Sequence, residues 1–244
     1  MGWYMVYYRE MFLMRKKIGN LGYVFSTLLY PLLYLFAFSW GFGPTAGVPG
    51  GYVPFLSKGM LGIAVMLNSF QQTAISVSVG RFYFRSFQTL LVSPLTPFAI
   101  TLGITLAGVS RGVMAGATIY LVAFLAFAAP PPSLPGIAGI IISAACFGAF
   151  GFTVGLWADN QDALSVVINF IITPMTFFCG SLFPIERLPP WLQGIAGWLP
   201  LGLSNKLLRA GGWTWEAACY LLILSVTAAV LFYISIRKVN NYSE

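Results

Sequence analysis

Residues 136–157 read GIAGIIISAACFGAFGFTVGLW, an apolar run without a single charged side chain. Its length matches the roughly 20 apolar residues that a helix needs to cross a hydrocarbon core about 30 Å thick. Working outward from it, five more stretches have the same character: 21–41, 59–79, 98–128, 163–183 and 216–236. The third of the six in chain order, 98–128, is long enough to tilt or to extend past the bilayer. Dense turn chemistry separates them, at Gly41-Phe42-Gly43-Pro44, Val48-Pro49-Gly50-Gly51, Ala129-Pro130-Pro131-Pro132 and Ala158-Asp159-Asn160-Gln161-Asp162. The expected fold is therefore an all-α polytopic membrane protein with six transmembrane helices, forming a single domain over 1–244.

Composition agrees. Of 244 residues, 58% are hydrophobic and 8% are charged, against about 25% charged in soluble domains. A soluble globule cannot hide that excess, because its exterior must stay polar. The net charge of +7 does not point to nucleic acid, since the cations sit at the ends of apolar runs, where headgroups and the positive-inside rule place them. Cys146, Cys179 and Cys219 lie inside apolar stretches and the chain has no histidine, so no metal site is expected and the thiols read as packing groups. The basic cluster Arg15-Lys16-Lys17 precedes an apolar run too long for a signal peptide, and 21–41 is read as a span.

With the N-terminus inside, the cytoplasmic segments hold Arg9, Arg15, Lys16, Lys17, Arg81, Arg85, Arg237 and Lys238; the outer ones hold Lys58, Arg187, Lys206 and Arg209. Eight against four favours both termini in the cytoplasm. Within residues 1–17, Trp3, Tyr4, Tyr7, Tyr8, Met11 and Phe12 recur at helical spacing, with Arg9 and Glu10 on the other face. This predicts an amphipathic helix lying in the headgroup plane.

Two segments are too unusual to be connectors. The loop 80–97, GRFYFRSFQTLLVSPLTP, is aromatic, basic and closed by prolines; its apolar residues at a cytoplasmic surface call for a protein cover. The segment 184–201 is too apolar for an exposed loop and too broken by Pro and Gly for one span. It reads as short re-entrant outer helices before the last span, sheltered by protein, with Trp191 and Trp198 at the interface.

These segments resemble those of ABC-transporter permeases of the type-2 exporter class. Leu90-Leu91-Val92-Ser93-Pro94-Leu95-Thr96-Pro97 is similar to the family's "LLVSP-(V/L)-SP" cytoplasmic stretch, and Gly180, Phe183-Pro184, Leu188-Pro189, Trp191-Leu192 and Pro200-Leu201 to its "SG-x-x-FP…LP-x-WL…NPL" outer segment. Gln88 stands where the family often has Glu, and Leu199 where it has Asn. The resemblance covers nearly the whole chain. It implies a cytoplasmic coupling helix docked on a separate ABC ATPase subunit, with Arg81, Phe82, Tyr83, Phe84, Arg85, Phe87, Gln88, Leu90, Leu91 and Pro94 forming the contact. It also implies two permease copies, as a homodimer, or two related permeases, over two ATPase subunits in a bacterial or archaeal plasma membrane. ATP and Mg would be held by the partner, and no cofactor by this chain, which lacks any G-x-x-x-x-G-K-[ST].

Arg111 is the one charge well inside an expected span. Two readings stand: it attracts an anionic group in the path, or it snorkels from a tilted helix. Gly108, Gly112 and Gly116 repeat every four residues, as do Gly151 and Gly155, which suits close helix packing. Asn169 and Thr173 are candidates to line the path, beside Pro174. Phe183, Glu186 and Arg187 are candidates for an outer gate, with a solvated Glu186–Arg187 pair as the other reading. Asp159 or Asp162 is expected to cap the fifth span, with contact to the ATPase subunit as the other reading. No acidic residue falls inside a span and no nucleophile–base pair is present, which disfavours a proton-coupled carrier and an enzyme. The expected function is outward transport of an amphipathic drug or lipid-like substrate. The alternative is a polysaccharide, lipo-oligosaccharide or lipid-linked glycan, and from another class, a passive channel.

Overall fold

The structure is a computed structural model that describes residues 2–18, 21–42, 51–83, 86–158 and 160–242. Phe84, Arg85, Asp159 and the turn at Val48-Pro49-Gly50 lie outside the described residues. Those described are helical, with no strand among them. In chain order the helices are α1 (Trp3–Ile18), α2 (Leu21–Phe42), α3 (Tyr52–Phe82), α4 (Ser86–Val92), α5 (Pro97–Phe127), α6 (Leu134–Trp157), α7 (Gln161–Val167), α8 (Thr173–Phe178), α9 (Pro190–Trp198), α10 (Pro200–Arg209) and α11 (Trp215–Asn240). A π-helical turn, Ile168–Ile172, joins α7 to α8.

Among the described residues, five helices are long and apolar enough to cross a membrane: Tyr52–Phe82, Pro97–Phe127, Leu134–Trp157, the composite Gln161–Phe178, and Trp215–Asn240. The first expected span coincides with the 22-residue α2, whose Leu32–Gly41 portion is a shorter apolar stretch. Two boundaries need correction. The second span, expected at 59–79, is the 31-residue α3, so Gly80, Arg81 and Phe82 belong to its last turn and not to a loop. The fifth, expected to run to residue 183, stops at Phe178 because Gly180 takes the left-handed φ of 71°. A Cβ there would also sit 2.7 Å from Ile185, so the turn depends on glycine twice over.

The bundle is organised around α3, which packs between α5 and α6. Small residues make that contact close. A Cβ on Gly108 would lie 2.6 Å from Thr73 Oγ1, and one on Gly116 would lie 2.7 Å from Val65. Gly112 faces Ser69, Gly151 faces the backbone of Phe70, and Gly155 faces Ala74 and Val77. Both glycine rows therefore receive one helix, α3, from opposite sides. Around this seam Phe70, Phe147, Ile63, Met66 and Ile119 are almost fully buried. α11 closes the far side against α6 and α5, tied by Ser235 and Thr153, whose hydroxyls lie 2.7 Å apart. Its outer face, with Leu222, Val226, Val230 and Tyr233 exposed, is suited to lipid.

Local signals explain several helix starts. Thr96 accepts from Ala99 N–H at 3.2 Å and Pro97 occupies the first turn of α5. Thr214 caps α11 in the same way. At α7 the cap is Asn160, whose Oδ1 accepts from Ala163 N–H at 2.8 Å. This corrects the assignment to an aspartate: Asp162 lies inside the first turn.

Candidate coupling surface and translocation face

The end of the bundle that carries α4 also gathers both termini. Phe87 of α4 is buried in one cluster with Val6 of α1, Ile100 and Ile104 of α5, Phe152 and Leu156 of α6, and Val239 of α11. Its ring meets Phe152 and Tyr242 edge-on, with centroids 6.3 and 5.6 Å away. Leu90 and Leu91 pack on the same cluster. With Val77 of α3 also in the cluster, α4 is in packing contact with five helices at once. The opposite side of this end is bare: Phe82, Tyr83, Val92 and Phe98 are exposed, Val92 at 88%. Of the residues read as contacts for a partner, Phe87, Leu90 and Leu91 turn inwards, whereas Phe82, Tyr83 and Pro94 face out and Gln88 is half-buried.

Arg81 also turns inwards, and is only 7% exposed. Its guanidinium donates to the carbonyls of Gly155, Leu156 and Ala158 at 2.9–3.1 Å and, through Nε, to Tyr242 Oη at 2.7 Å. The last carbonyls of α6 have no partner within their own helix and carry its negative dipole end. A cation from α3 fills that role. Arg81 thus binds α3, α6 and the C-terminal residues together beneath α4.

Arg111 and Glu10 form the second charged centre. Arg111 Nη2 donates to Glu10 Oε2 at 2.8 Å and to the Glu10 carbonyl at 3.1 Å; Nη1 donates to Gln72 O at 3.3 Å. Ser76 Oγ donates to the same carboxylate oxygen at 2.8 Å. Glu10 is 4% exposed and Arg111 7%. Arg111 therefore neither snorkels nor offers a free charge to a passing anion, because a carboxylate already holds it. The helix read as lying in the headgroup plane turns the face with Val6, Glu10 and Met14 into the bundle, while Trp3, Tyr4, Tyr8 and Phe12 remain outside. Contacts advance together along both helices: Gly103 meets Trp3 and Val6, Ser110 meets Tyr7, and Arg111 meets Glu10. α1 is docked lengthwise on α5.

The least expected surface lies on α7–α8. Leu164, Val167, Ile172, Met175 and Cys179 face the core. The other side presents Asp162, Ser165, Asn169 and Thr173 to the exterior, along with Val166 and Phe170. This polar row runs at spacings of three and four residues, so it lies on one helical face. The π-turn sits in its middle. Pro174 has no N–H to give, and Thr173 donates both its backbone N–H and its hydroxyl to Ile168 O, five residues back. The widened turn splays Asn169 and Phe170 outwards.

At the far end of α3, the outer segment is longer than its sequence suggested, reaching Arg209 in place of residue 201. α10 is mostly buried: Asn205 donates to Cys179 O at 3.0 Å and Ser181 Oγ at 2.8 Å, and Leu207 and Leu208 pack beside Gly136 and Gly139 of α6. Leu199, in place of a polar cap, packs on the main core while Pro200 starts α10. Phe183 rests against Phe38 of α2, centroids 6.0 Å apart. Glu186 and Arg187 are exposed on a short 3-10 turn, which Gln193 braces by donating to the carbonyls of Glu186 and Leu188.

Long apolar helices, with a short helix anchored across one end, make this a multi-pass helical membrane protein. The chain belongs to the ABC-2 type transporter family, which it matches over residues 3–213. It is 30% identical over 205 residues to nodulation protein J of Bradyrhizobium diazoefficiens, covering 83% of this chain and 78% of that protein. It is 31% identical over 206 residues to nodulation protein J of Rhizobium leguminosarum bv. viciae, covering 83% and 79%. With the inner membrane transport permease YadH of Escherichia coli K12 it shares 27% identity over 161 residues, covering 66% and 62%. Family membership implies an ATP-hydrolysing partner subunit.

Proposed function

We propose that this chain is the six-span permease of an ATP-driven exporter in a bacterial or archaeal cytoplasmic membrane. It pairs as a homodimer over two ATPase subunits that hold ATP and Mg, and moves an amphipathic, lipid-like cargo outward. The observation that carries this reading is the uncovered row Asp162, Ser165, Asn169 and Thr173 on an otherwise apolar span. A lipid-facing surface has no use for such groups, and polar side chains inside a membrane turn to protein or to a water-filled path. A second copy apposed on this face would enclose the row. Both termini gather with α4 at one end, which suits a cytoplasmic end rich in Arg and Lys. A glycan-bearing amphiphile is the second reading, favoured by the hydrogen-bonding capacity of the same row.

The coupling surface is the bare side of the α4 end, with Val92, Tyr83, Phe82 and Phe98 as its apolar contacts. Val92→Asp is the clean probe, because the side chain touches little of the fold. Purified from detergent, the native chain should bring an ATPase subunit at near-equal stoichiometry, and Val92→Asp should lose it while eluting as a monodisperse permease. Retention of the ATPase by the variant rejects this surface, and its absence from the native preparation rejects ATP coupling in favour of a channel. Pairing is tested separately. Asn169→Cys should form an intermolecular disulfide in membranes, whereas Leu222→Cys on the outer face of α11 should not. The reverse pattern would place the dimer contact on α11.

A further inference from the structure

The outer end carries a cleft of about 750 Å³ between the Glu186 turn, α9, α10 and the start of α11. That volume falls within the range of sites for small molecules, ~300–1,000 Å³. Two cations stand inside it. Lys206 Nζ lies between the rings of Trp198 and Tyr220, 5.5 and 4.9 Å from their centroids, and has no hydrogen bond or ion pair among the described residues. Arg209 stacks on Phe55 at 3.7 Å and donates from Nη2 to Phe55 O, yet its buried Nε has no partner. Aromatic rings hold both charges in place without satisfying their N–H groups. Glu186 and Glu216, both exposed, sit on the rim. The lining thus sets two cations inside against two carboxylates outside.

The depth of the cleft is marked by tryptophan. Trp191, Trp198, Trp213 and Trp215, each next in the chain to a residue lining the cleft, are all more than half exposed, and exposed Trp concentrates at the headgroup level of a bilayer. From the cavity, its charge layout and this belt, we infer that the cleft holds the headgroup of an outer-leaflet phospholipid of the phosphoethanolamine type. The phosphate takes its donor from Lys206 Nζ, which carries the open hydrogen-bonding capacity, beside the positive charge of Arg209. The ammonium takes the rim carboxylates, and the acyl chains leave along the apolar outer face. The bound lipid would fasten α9 and α10 to the last span, steadying the outer segment whether or not cargo is present.

The test is native mass spectrometry of the purified chain delipidated in detergent, then titrated with phosphatidylethanolamine or phosphatidylglycerol of equal chain length. The native chain should retain phosphatidylethanolamine preferentially. Lys206→Gln should weaken that retention about tenfold, the scale of one charge-assisted hydrogen bond, and its melting temperature without lipid should match the native one. Glu186→Gln combined with Glu216→Gln should keep phosphate binding but abolish the preference between the two lipids. Equal retention by native and Lys206→Gln chains overturns the site. Preference for phosphatidylglycerol in the native chain overturns the role of the carboxylates.

Discussion

Gly151→Leu should eliminate the monodisperse permease peak, and Gly151→Ala should lower its melting temperature by a stability loss of about 1–3 kcal/mol. The cause is the neighbour. A Cβ at residue 151 would collide with the carbonyl oxygen of Phe70 and stand 3.1 Å from its carbonyl carbon and Cα. These are backbone atoms in the middle of α3, and no rotamer change can clear them. Room comes only from separating α3 and α6, which breaks the packing of Phe70, Phe147 and Phe152 along the seam. Gly41→Ala is the control, since nothing lies within 4 Å of its Cβ position; there alanine should be neutral or slightly stabilising. The readout is size-exclusion chromatography of heated detergent samples. A normal melting curve for Gly151→Leu would mean that the two helices are not in the contact described.

The second large effect is expected at the buried ion pair. Arg111→Met alone should cost about 3–5 kcal/mol, because it removes the close, buried partner of the Glu10 carboxylate and leaves only the half-exposed Arg9 at 3.5 Å. Glu10→Gln alone should fall in the same range, with Arg111 keeping the carbonyls of Glu10 and Gln72 but losing the charge. The double variant Glu10→Gln with Arg111→Met should recover most of that loss, since neither charge then remains to be desolvated. The same melting assay measures this as a coupling energy. Additive losses in the double variant would show that Glu10 and Arg111 act independently, contrary to their 2.8 Å contact.

Reading the sequence placed the spans wherever long apolar runs ended in Pro, Gly or a capping side chain, as at Thr96-Pro97 and Phe127. The short helix within 80–97 was legible in part from its aromatic content and closing prolines. Orientation of side chains within it was not. Phe87 and Val92 are both apolar and five residues apart, yet one is enclosed by α6 and α11 and the other is bare, a difference set by helices distant in the chain. Arg81 looked like a surface cation because the end of α3 was drawn too early; one more turn of helix carries it under α6. Arg111 was recognised as unusual, but its partner lies 101 residues away in a segment with no apolar span of its own. The only available hint was that Glu10 is a lone acid beside aromatic residues. Asn160 as the cap of α7 was open to view, since a cap residue three positions before a backbone donor needs no tertiary knowledge.

The contact between Glu10 and Arg111 also orders events on the ribosome. Glu10 is made early, and Arg111 only after 101 further residues. At ~5–20 residues per second that interval is about 5–20 seconds. Throughout it Glu10 has only the neighbouring Arg9 as a partner, and α1 has no final groove to settle into until α5 is made. Seating of α1 therefore waits for α5, whose Arg111 follows Glu10 by 101 residues. Docking of α1 on α5 then completes that side of the bundle.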